Sequence, residues 1–204
     1  MEIPTPLRAV LADTDGSWLA DFDAALLAPA RDSVLGRRLL ARTLGAGGAA
    51  TLLAPAPKPV LTRVLTQWPR EKLQSLALNL GVLAFAPVIR AEVARETVRR
   101  LKHALDKRYL LALDRQVWDG EVPRELQQRL HRAMHTAMEE AEGAAALLAL
   151  LGRQGRAELR RWANPRDPAL IEWLALLHPR TDDTPVPHLP PAAVQRLYAI
   201  HAGN

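Results

Sequence analysis

Residues 69–90 read PREKLQSLALNLGVLAFAPVIR, a run in which proline stands at two places where a helix can begin. Proline fits the first turn of a helix and disrupts its interior, because its ring fixes φ and it lacks an amide hydrogen. Glu71 places a carboxylate in the first turn, where the helix dipole favours one. The stretch therefore predicts one helix from Pro69 to about Ala86 and a second one that begins at Pro87.

The composition of the whole 204-residue chain agrees with this local pattern. Hydrophobic residues make up 49% and charged residues 24% of it, which excludes wholesale disorder. Alanine and leucine dominate, whereas aromatic residues are 4% and isoleucine occurs at only four positions. Because strands favour β-branched and aromatic side chains, the composition predicts a compact all-α fold of about seven to nine helices with Pro/Gly-rich loops.

Prolines mark helix starts further along the chain as well. We expect a helix to begin at Pro123, another after Asp167-Pro168, and a last one after Pro190-Pro191. Upstream, residues 17–27 and 33–44 are candidate helices. Apolar residues also recur every three or four positions along two helix faces, which are predicted to be buried. The first face comprises Val98, Leu101, Leu105, Tyr109, Leu113 and Val117, and the second Leu126, Leu130, Met134, Ala137 and Ala141.

Residues 45–59, which read GAGGAATLLAPAPKP, decide the predicted domain organisation. This segment is too rich in Gly and Pro for a long helix. It is either a surface loop inside a single all-α domain of residues 1–204, or a linker between an N-terminal helical arm (residues 1–44) and a body of residues 60–204. We favour the loop, because loops of this length do occur inside helical domains. The Pro-rich residues 179–191 are a second predicted loop.

The N-terminal residues and the longest apolar runs bear on localisation. Residues 1–35 contain two arginines against six acidic residues, a balance opposite to that of a secretory signal peptide. Residues 143–152 are apolar but provide only about half of the ~20 residues that a bilayer crossing needs. The absence of cysteine excludes disulfides and thiol catalysis and suits a reducing compartment. We therefore expect a cytoplasmic protein without direct membrane insertion.

His131 and His135 are the residues that most resemble metal ligands. On a helix they lie one turn apart, with Glu139 one turn further, and such a row could present two imidazoles and a carboxylate to zinc. However, Arg132 stands where the HExxH motif of zinc proteases has its glutamate. We interpret the pair as the polar flank of the stripe that contains Leu130, so that neither a metal ion nor another cofactor is expected.

No other motif predicts catalysis or calcium binding. Counted from Asp13, the positions at which an EF-hand has its glycine and its bidentate glutamate are Trp18 and Ala24. Asp15 is better explained as the cap of a helical turn that contains Trp18. The sequence contains no P-loop, dinucleotide-binding or nucleophile-elbow pattern. We therefore expect no catalytic residues and a protein that is not an enzyme.

The charge distribution predicts a binding surface. The formal net charge is +5, and residues 90–115 carry eight basic against four acidic side chains. Acidic residues interleave with the basic ones at ion-pair spacing, as with Glu96 and Arg100, so we favour docking on an acidic protein surface. A basic helical nucleic-acid-binding protein is the alternative. The predicted partner-binding residues are Arg95, Arg99, Arg100, Lys102, Lys107 and Arg108.

The central residues also carry a family resemblance. They combine a Leu-Gly-x-Leu helix at residues 80–83, an Ile-Arg element at residues 89–90, and a later helix with Leu105 and Tyr109. In this pattern and in its length, the chain resembles the YscK/SctK-type accessory proteins of bacterial type III secretion systems. The resemblance covers about residues 70–117.

The resemblance implies a non-enzymatic role in protein secretion and virulence. Proteins of this family belong to the sorting platform beneath the injectisome, where they connect the SctQ-type pod protein to the cytosolic domain of the SctD-type inner-ring protein. It therefore implies a cytoplasmic adaptor, peripherally associated with the cytosolic face of the inner-membrane secretion complex, and no nucleic-acid partner. The family offers no short motif that assigns binding residues, so the six basic residues are predicted from charge alone.

Overall fold

A computed structural model describes residues 5–54, 60–180 and 185–203 of the chain. Throughout these residues the regular structure is helical and no β-strand occurs, so the predicted all-α fold is confirmed. Two short helical turns, Gly16–Leu19 (3₁₀) and Gly45–Ala49 (π), lie between the α-helices. The α-helices are α1 (Thr5–Asp13), α2 (Ala24–Asp32), α3 (Val34–Leu44), α4 (Ala50–Leu53), α5 (Val60–Leu65), α6 (Arg70–Ala84), α7 (Ala86–Ala91), α8 (Arg95–Leu105), α9 (Arg108–Leu113), α10 (Arg124–Glu139), α11 (Gly143–Ala163), α12 (Pro168–Leu176) and α13 (Pro191–Gly203).

These elements form two compact units. The described residues of the first unit are 5–54, 60–70 and 163–180, and those of the second are 71–162 and 185–203. Residues of the predicted N-terminal arm therefore share their unit with α12, which lies more than a hundred positions later in the chain. The first part of the predicted linker is also helical, since it forms the π turn and α4, whereas residues 55–59 lie outside the described residues.

Helix caps in the first unit follow the local sequence. The hydroxyl of Ser33 accepts a hydrogen bond from the amide of Gly36 at 2.9 Å, so α3 begins where the sequence predicts it. The predicted helix of residues 17–27 is wrong. Asp15 caps a 3₁₀ turn there, and Asp23 starts α2 by accepting the amide of Ala25 at 2.8 Å. Two acidic caps within nine residues thus divide the segment into two separate helical elements.

Two acidic residues at α12 form hydrogen bonds to segments of the first unit that are distant in sequence. Asp167 is fully buried and accepts hydrogen bonds from the amide and hydroxyl of Thr62, at 2.7 and 2.6 Å, and from the amide of Leu170 at 3.2 Å. Glu172 accepts the amides of Thr51 and Leu52 at the start of α4. The predicted capping role of Asp167 is confirmed, and both of its carboxylate oxygens connect α12 to α5.

The core of the second unit is a close crossing between α6 and α11. Gly81 and Gly155 are buried where the two helices meet. A methyl group on Gly81 would overlap the backbone carbonyl of Leu151, and one on Gly155 would overlap that of Ala77. Only glycine lets two helix backbones approach this closely. Fully buried leucines, among them Leu76, Leu80 and Leu83, surround the contact.

Arg90, at the end of α7, organises the loop that follows α9. Its guanidinium donates hydrogen bonds to the backbone carbonyls of Ala112 (2.6 Å), Asp114 (3.1 Å), Trp118 (3.0 Å) and Asp119. Burial lowers the pKa of Arg90 from its ordinary value, and the nearby charge of Arg115 adds to the effect. The side chain thus satisfies carbonyl groups that the irregular loop leaves without backbone partners.

Replacing this guanidinium tests its role in the loop. We expect Arg90→Lys to lower the free energy of unfolding by about 2 kcal/mol, because an ammonium group cannot reach four carbonyls that surround a planar guanidinium. Urea denaturation followed by circular dichroism measures this change. Arg115→Lys, on the same loop and exposed, is the control and should stay within about 0.5 kcal/mol of the wild type. Equal stability of the two variants would show that Arg90 does not hold the loop through these hydrogen bonds.

One predicted helix face is interrupted in the structure. Leu101 and Leu105 of the first predicted face are buried, but α8 ends at Asp106, which has a positive φ of 49°. Aspartate is one of the few residues that tolerate positive φ, and the chain turns there before α9 begins. Tyr109 and Val117 are half-buried and Leu113 is 43% exposed, so the predicted burial of this face is wrong at Leu113.

Within the described residues, none of the helices combines the length and the apolar character that a membrane crossing requires.

Candidate functional site: the basic side of α8

Helix α8 has one apolar face and one cationic face. Leu101 and Leu105 are buried, whereas Arg95, Arg99 and Lys102 are exposed. These three cations follow each other at steps of four and three residues, which places them on one face of the helix. We call them the basic stripe. They are half of the six residues that the sequence predicts as partner-binding.

Ion pairing leaves most of this positive charge available. Arg99 approaches Glu96 at 3.1 Å, with both side chains more than 60% exposed, and such surface pairs contribute little stability. The predicted pair between Glu96 and Arg100 is wrong. Arg100 instead donates a hydrogen bond to the carbonyl of Met138, in the last turn of α10, where carbonyl groups lack partners within the helix.

A groove of about 370 Å³ lies beside the basic stripe. Arg99 and Arg100 form its cationic edge, next to Glu96 and His103, and apolar side chains such as Met138 and Leu147 complete it. An apolar groove with a cationic edge suits a partner segment that carries both apolar and acidic side chains.

The remaining predicted residues have different surroundings. The ammonium group of Lys102 lies 5.6 Å from the centre of the Tyr109 ring, a cation–π contact that orients the end of the stripe. Arg108 is half-buried and donates to the side-chain oxygen of Asn79 at 3.1 Å, and Asn79 in turn contacts His201 of α13 at 3.2 Å. Arg108 therefore connects helices inside the second unit, and its role in partner binding stays a prediction. Lys107, by contrast, is exposed at the start of α9.

The two histidines of α10 meet a carboxylate that sequence spacing does not predict. Glu92, in the connection after α7, places one oxygen 3.0 Å from Nε2 of His135. His131 and His135 lie with their ring centres 4.2 Å apart and their planes inclined by 32°. One nitrogen from each ring and one oxygen of Glu92 all lie within 4.8 Å of one another. Glu139, the predicted third member, is exposed at the end of α10 and is not part of this cluster.

Glu92 is held in place by its own backbone surroundings. The amide of Ala94 donates to its other oxygen at 2.9 Å. That bond, followed by the one from His135, lowers the pKa of the Glu92 carboxyl and keeps it ionised. Because Glu92 lies 39 positions before His131 and outside any helix, no periodic pattern connects the two.

The N-terminal acidic residues take a structural role, as the sequence indicates. Asp15 accepts hydrogen bonds from both the amide (3.0 Å) and the hydroxyl (2.7 Å) of Ser17. The same bonds lower the pKa of the Asp15 carboxyl. Its oxygen Oδ1 is thus occupied in capping the 3₁₀ turn.

Comparison of the chain with protein-family models, with curated proteins and with solved structures finds no match. The functional inference therefore depends on the geometry above and on the sequence resemblance of residues 70–117.

Proposed function

We propose that this chain is a non-enzymatic adaptor of a bacterial type III secretion injectisome. In this role it links the SctQ-type pod protein of the sorting platform to the SctD-type inner-membrane ring. The observation that carries the proposal is the exposed basic stripe of α8 beside a groove with apolar and cationic walls. The identity of the partners comes from the resemblance of residues 70–117.

The residues that carry the family resemblance have structural roles in the second unit. Gly81 permits the α6–α11 crossing, Arg90 holds the loop after α9, and Leu105 is buried at the end of α8. A pattern made of such residues constrains the shape of the second unit. That shape positions α8 with its basic stripe outward, so the framework and the proposed binding surface belong to the same unit.

Charge determines which kind of partner fits the stripe. Cations at an interface speed encounter with an acidic surface and select against basic ones, with an effect that salt screens. The acidic side chains of Glu96 and Asp106 lie within or beside the same helix. They weaken the attraction for a continuous row of phosphates, which is why we place an acidic protein surface ahead of nucleic acid.

The peripheral location follows from the proposed partners. An adaptor bound to the cytosolic domain of an inner-ring protein stays next to the membrane through protein contacts alone. Its attachment should then be lost when the ring protein is deleted, which fractionation of the cells measures.

The test of the proposed function is co-purification with the SctQ-type protein after charge reversal. We expect the double variant Arg95→Glu/Arg99→Glu to lose at least about tenfold in affinity, because it replaces two attractive charges with repulsive ones. The control is Arg38→Glu/Arg42→Glu on α3, which changes the charge by the same amount at the same spacing and at exposed positions. Arg100 and Arg108 are left intact, since both make contacts inside the second unit.

Four outcomes decide between these possibilities. Selective loss of the complex in the α8 variant supports the basic stripe as the binding surface. Equal loss in both variants, or loss in the α3 control alone, contradicts it. Failure of the wild-type chain to bind either the SctQ-type or the SctD-type protein would overturn the adaptor proposal, and salt-sensitive binding of DNA or RNA would then favour the alternative.

A further inference from the structure

The cluster of Glu92, His131 and His135 carries an inference that the adaptor role does not require. We propose that these three side chains bind a divalent transition-metal ion, with zinc as the ion that suits them best. The bound ion would join the connection between α7 and α8 to α10, both within the second unit.

The ligand types support zinc. Two imidazole nitrogens and one carboxylate oxygen form a set that zinc accepts, whereas calcium and magnesium prefer sites made of oxygen alone. The carboxylate also supplies a negative charge that partly balances the ion. Histidines four residues apart on a helix project from the same side, so His131 and His135 can reach one ion without a change in the helix.

The distances are close to those of a bound site. In a tetrahedral zinc site, ligand atoms about 2.1 Å from the metal lie about 3.4 Å from each other. The three candidate atoms lie within 4.8 Å of one another, and the pair from Glu92 and His135 is at 3.0 Å. The separations therefore differ from the tetrahedral spacing by at most about 1.4 Å, a change that side-chain rotations of His131 and His135 can provide.

Glu92 is oriented before any ion binds. One of its oxygens accepts the amide of Ala94, which leaves the other directed toward His135. Its side chain is only 7% exposed, so the carboxylate has little freedom to turn away. Hydrogen bonds of this kind, made to the atom that does not ligate, fix the orientation of metal ligands in proteins.

The hydrogen bond between His135 and Glu92 does not block coordination. When a metal binds, Nε2 of His135 ligates as the unprotonated nitrogen, and the hydrogen of the neutral ring resides on Nδ1. The ion then lies to one side of the line between nitrogen and oxygen, about 2.1 Å from each, and the two atoms separate to about 3.4 Å. His131 is exposed and His135 is 34% exposed, so the ion has access from solvent and a water molecule can fill the fourth position.

Zinc binding by the full-length, tag-free protein tests the proposal. After dialysis against zinc and removal of the excess, elemental analysis should find one zinc ion per chain, and cobalt(II) should give the visible absorption of a four-coordinate site. Competition with a chromophoric chelator should show that Glu92→Gln and His131→Ala each weaken binding by at least about tenfold. Zinc should also raise the unfolding temperature of the wild type more than that of either variant.

The matched controls use the same substitutions at positions outside the cluster. Glu139→Gln changes an exposed carboxylate of α10 outside the cluster, and His103→Ala removes an exposed histidine of α8. Both controls should bind zinc as the wild type does. If Glu92→Gln fails to fold, the exposed His131→Ala variant decides alone. Less than stoichiometric zinc in the wild type, or an equal loss of affinity in a control and its matched variant, would overturn the proposal.

Discussion

Gly81→Ala should lower the free energy of unfolding by about 3 kcal/mol, although alanine is the better helix former. The added methyl group overlaps the carbonyl of Leu151 on the facing helix. Since a backbone carbonyl cannot move without its helix, the structure relieves this overlap only by separating α6 from α11. Separation opens voids among the buried leucines around the crossing, and the lost contacts account for the large cost.

Gly155→Ala should have a similar effect from the opposite side of the crossing, where the methyl group meets the carbonyl of Ala77. The two effects should not add. Once the first methyl group has moved the helices apart, the second causes less overlap. The double variant should therefore lose less unfolding free energy than the sum of the losses in the two single variants.

Gly152→Ala is the matched control for both. Gly152 lies on the same helix as Gly155, but its added methyl group would make only an ordinary contact, 3.5 Å from the guanidinium of Arg156. This variant should be neutral or more stable by up to about 1 kcal/mol, as alanine usually is inside a helix. Urea denaturation of the wild type, the three single variants and the double variant measures these differences. If all three single variants change the free energy of unfolding equally, the close approach of α6 and α11 does not require Gly81 and Gly155.

The success of the sequence in predicting helix boundaries has a local cause. Pro123 and Asp167 start helices where expected, since a capping side chain or a fixed φ acts within one helical turn. The prediction of a helix over residues 17–27 failed for a related reason. Asp15 and Asp23 are both favourable N-cap residues, and their spacing alone does not predict that each begins a separate helical element.

Contacts between distant residues could not be predicted from the sequence. Glu92 joins His131 and His135 only because the connection after α7 lies beside α10, and periodicity along one helix suggested Glu139 instead. Arg108 is a similar case, since charge alone placed it among the partner-binding residues and did not predict its hydrogen bond to Asn79. Each case depends on which helices become neighbours, and that information is spread over the whole unit.

The contacts of the predicted Pro-rich loop, residues 179–191, could not be predicted from the sequence either. They lead to the second prediction of a large loss of stability. Residues 181–184 lie outside the described part of the chain, but Glu158 of α11 binds the backbone of residues 188 and 189. The Glu158 carboxylate is 1% exposed and accepts the amides of His188 (2.8 Å) and Leu189 (3.0 Å) and the side-chain amide of Gln154 (2.8 Å).

We expect Glu158→Ala to lower the free energy of unfolding by about 3 kcal/mol. The substitution leaves the two backbone amides without their acceptor and Gln154 with only the carbonyl of Val186, in a place that water does not reach freely. Each such loss is costly. Glu158→Gln should cost roughly half as much, because its amide retains one accepting oxygen while its NH₂ group faces other donors. Glu139→Ala, an exposed glutamate at the end of α10, should stay within about 0.5 kcal/mol of the wild type.

Hydrogen exchange separates a local effect from a global one. In the wild type, the amides of His188 and Leu189 should exchange slowly, because both are bound to Glu158. In Glu158→Ala these two amides should exchange faster than those of the α6–α11 crossing, since residues 185–189 can then detach while the helices stay packed. Slow exchange at both amides in a fully stable Glu158→Ala protein would show that the carboxylate does not hold the segment. Detachment would also remove the contact at 3.1 Å between the His188 ring and the carbonyl of Ala84, so the effect should extend to the end of α6.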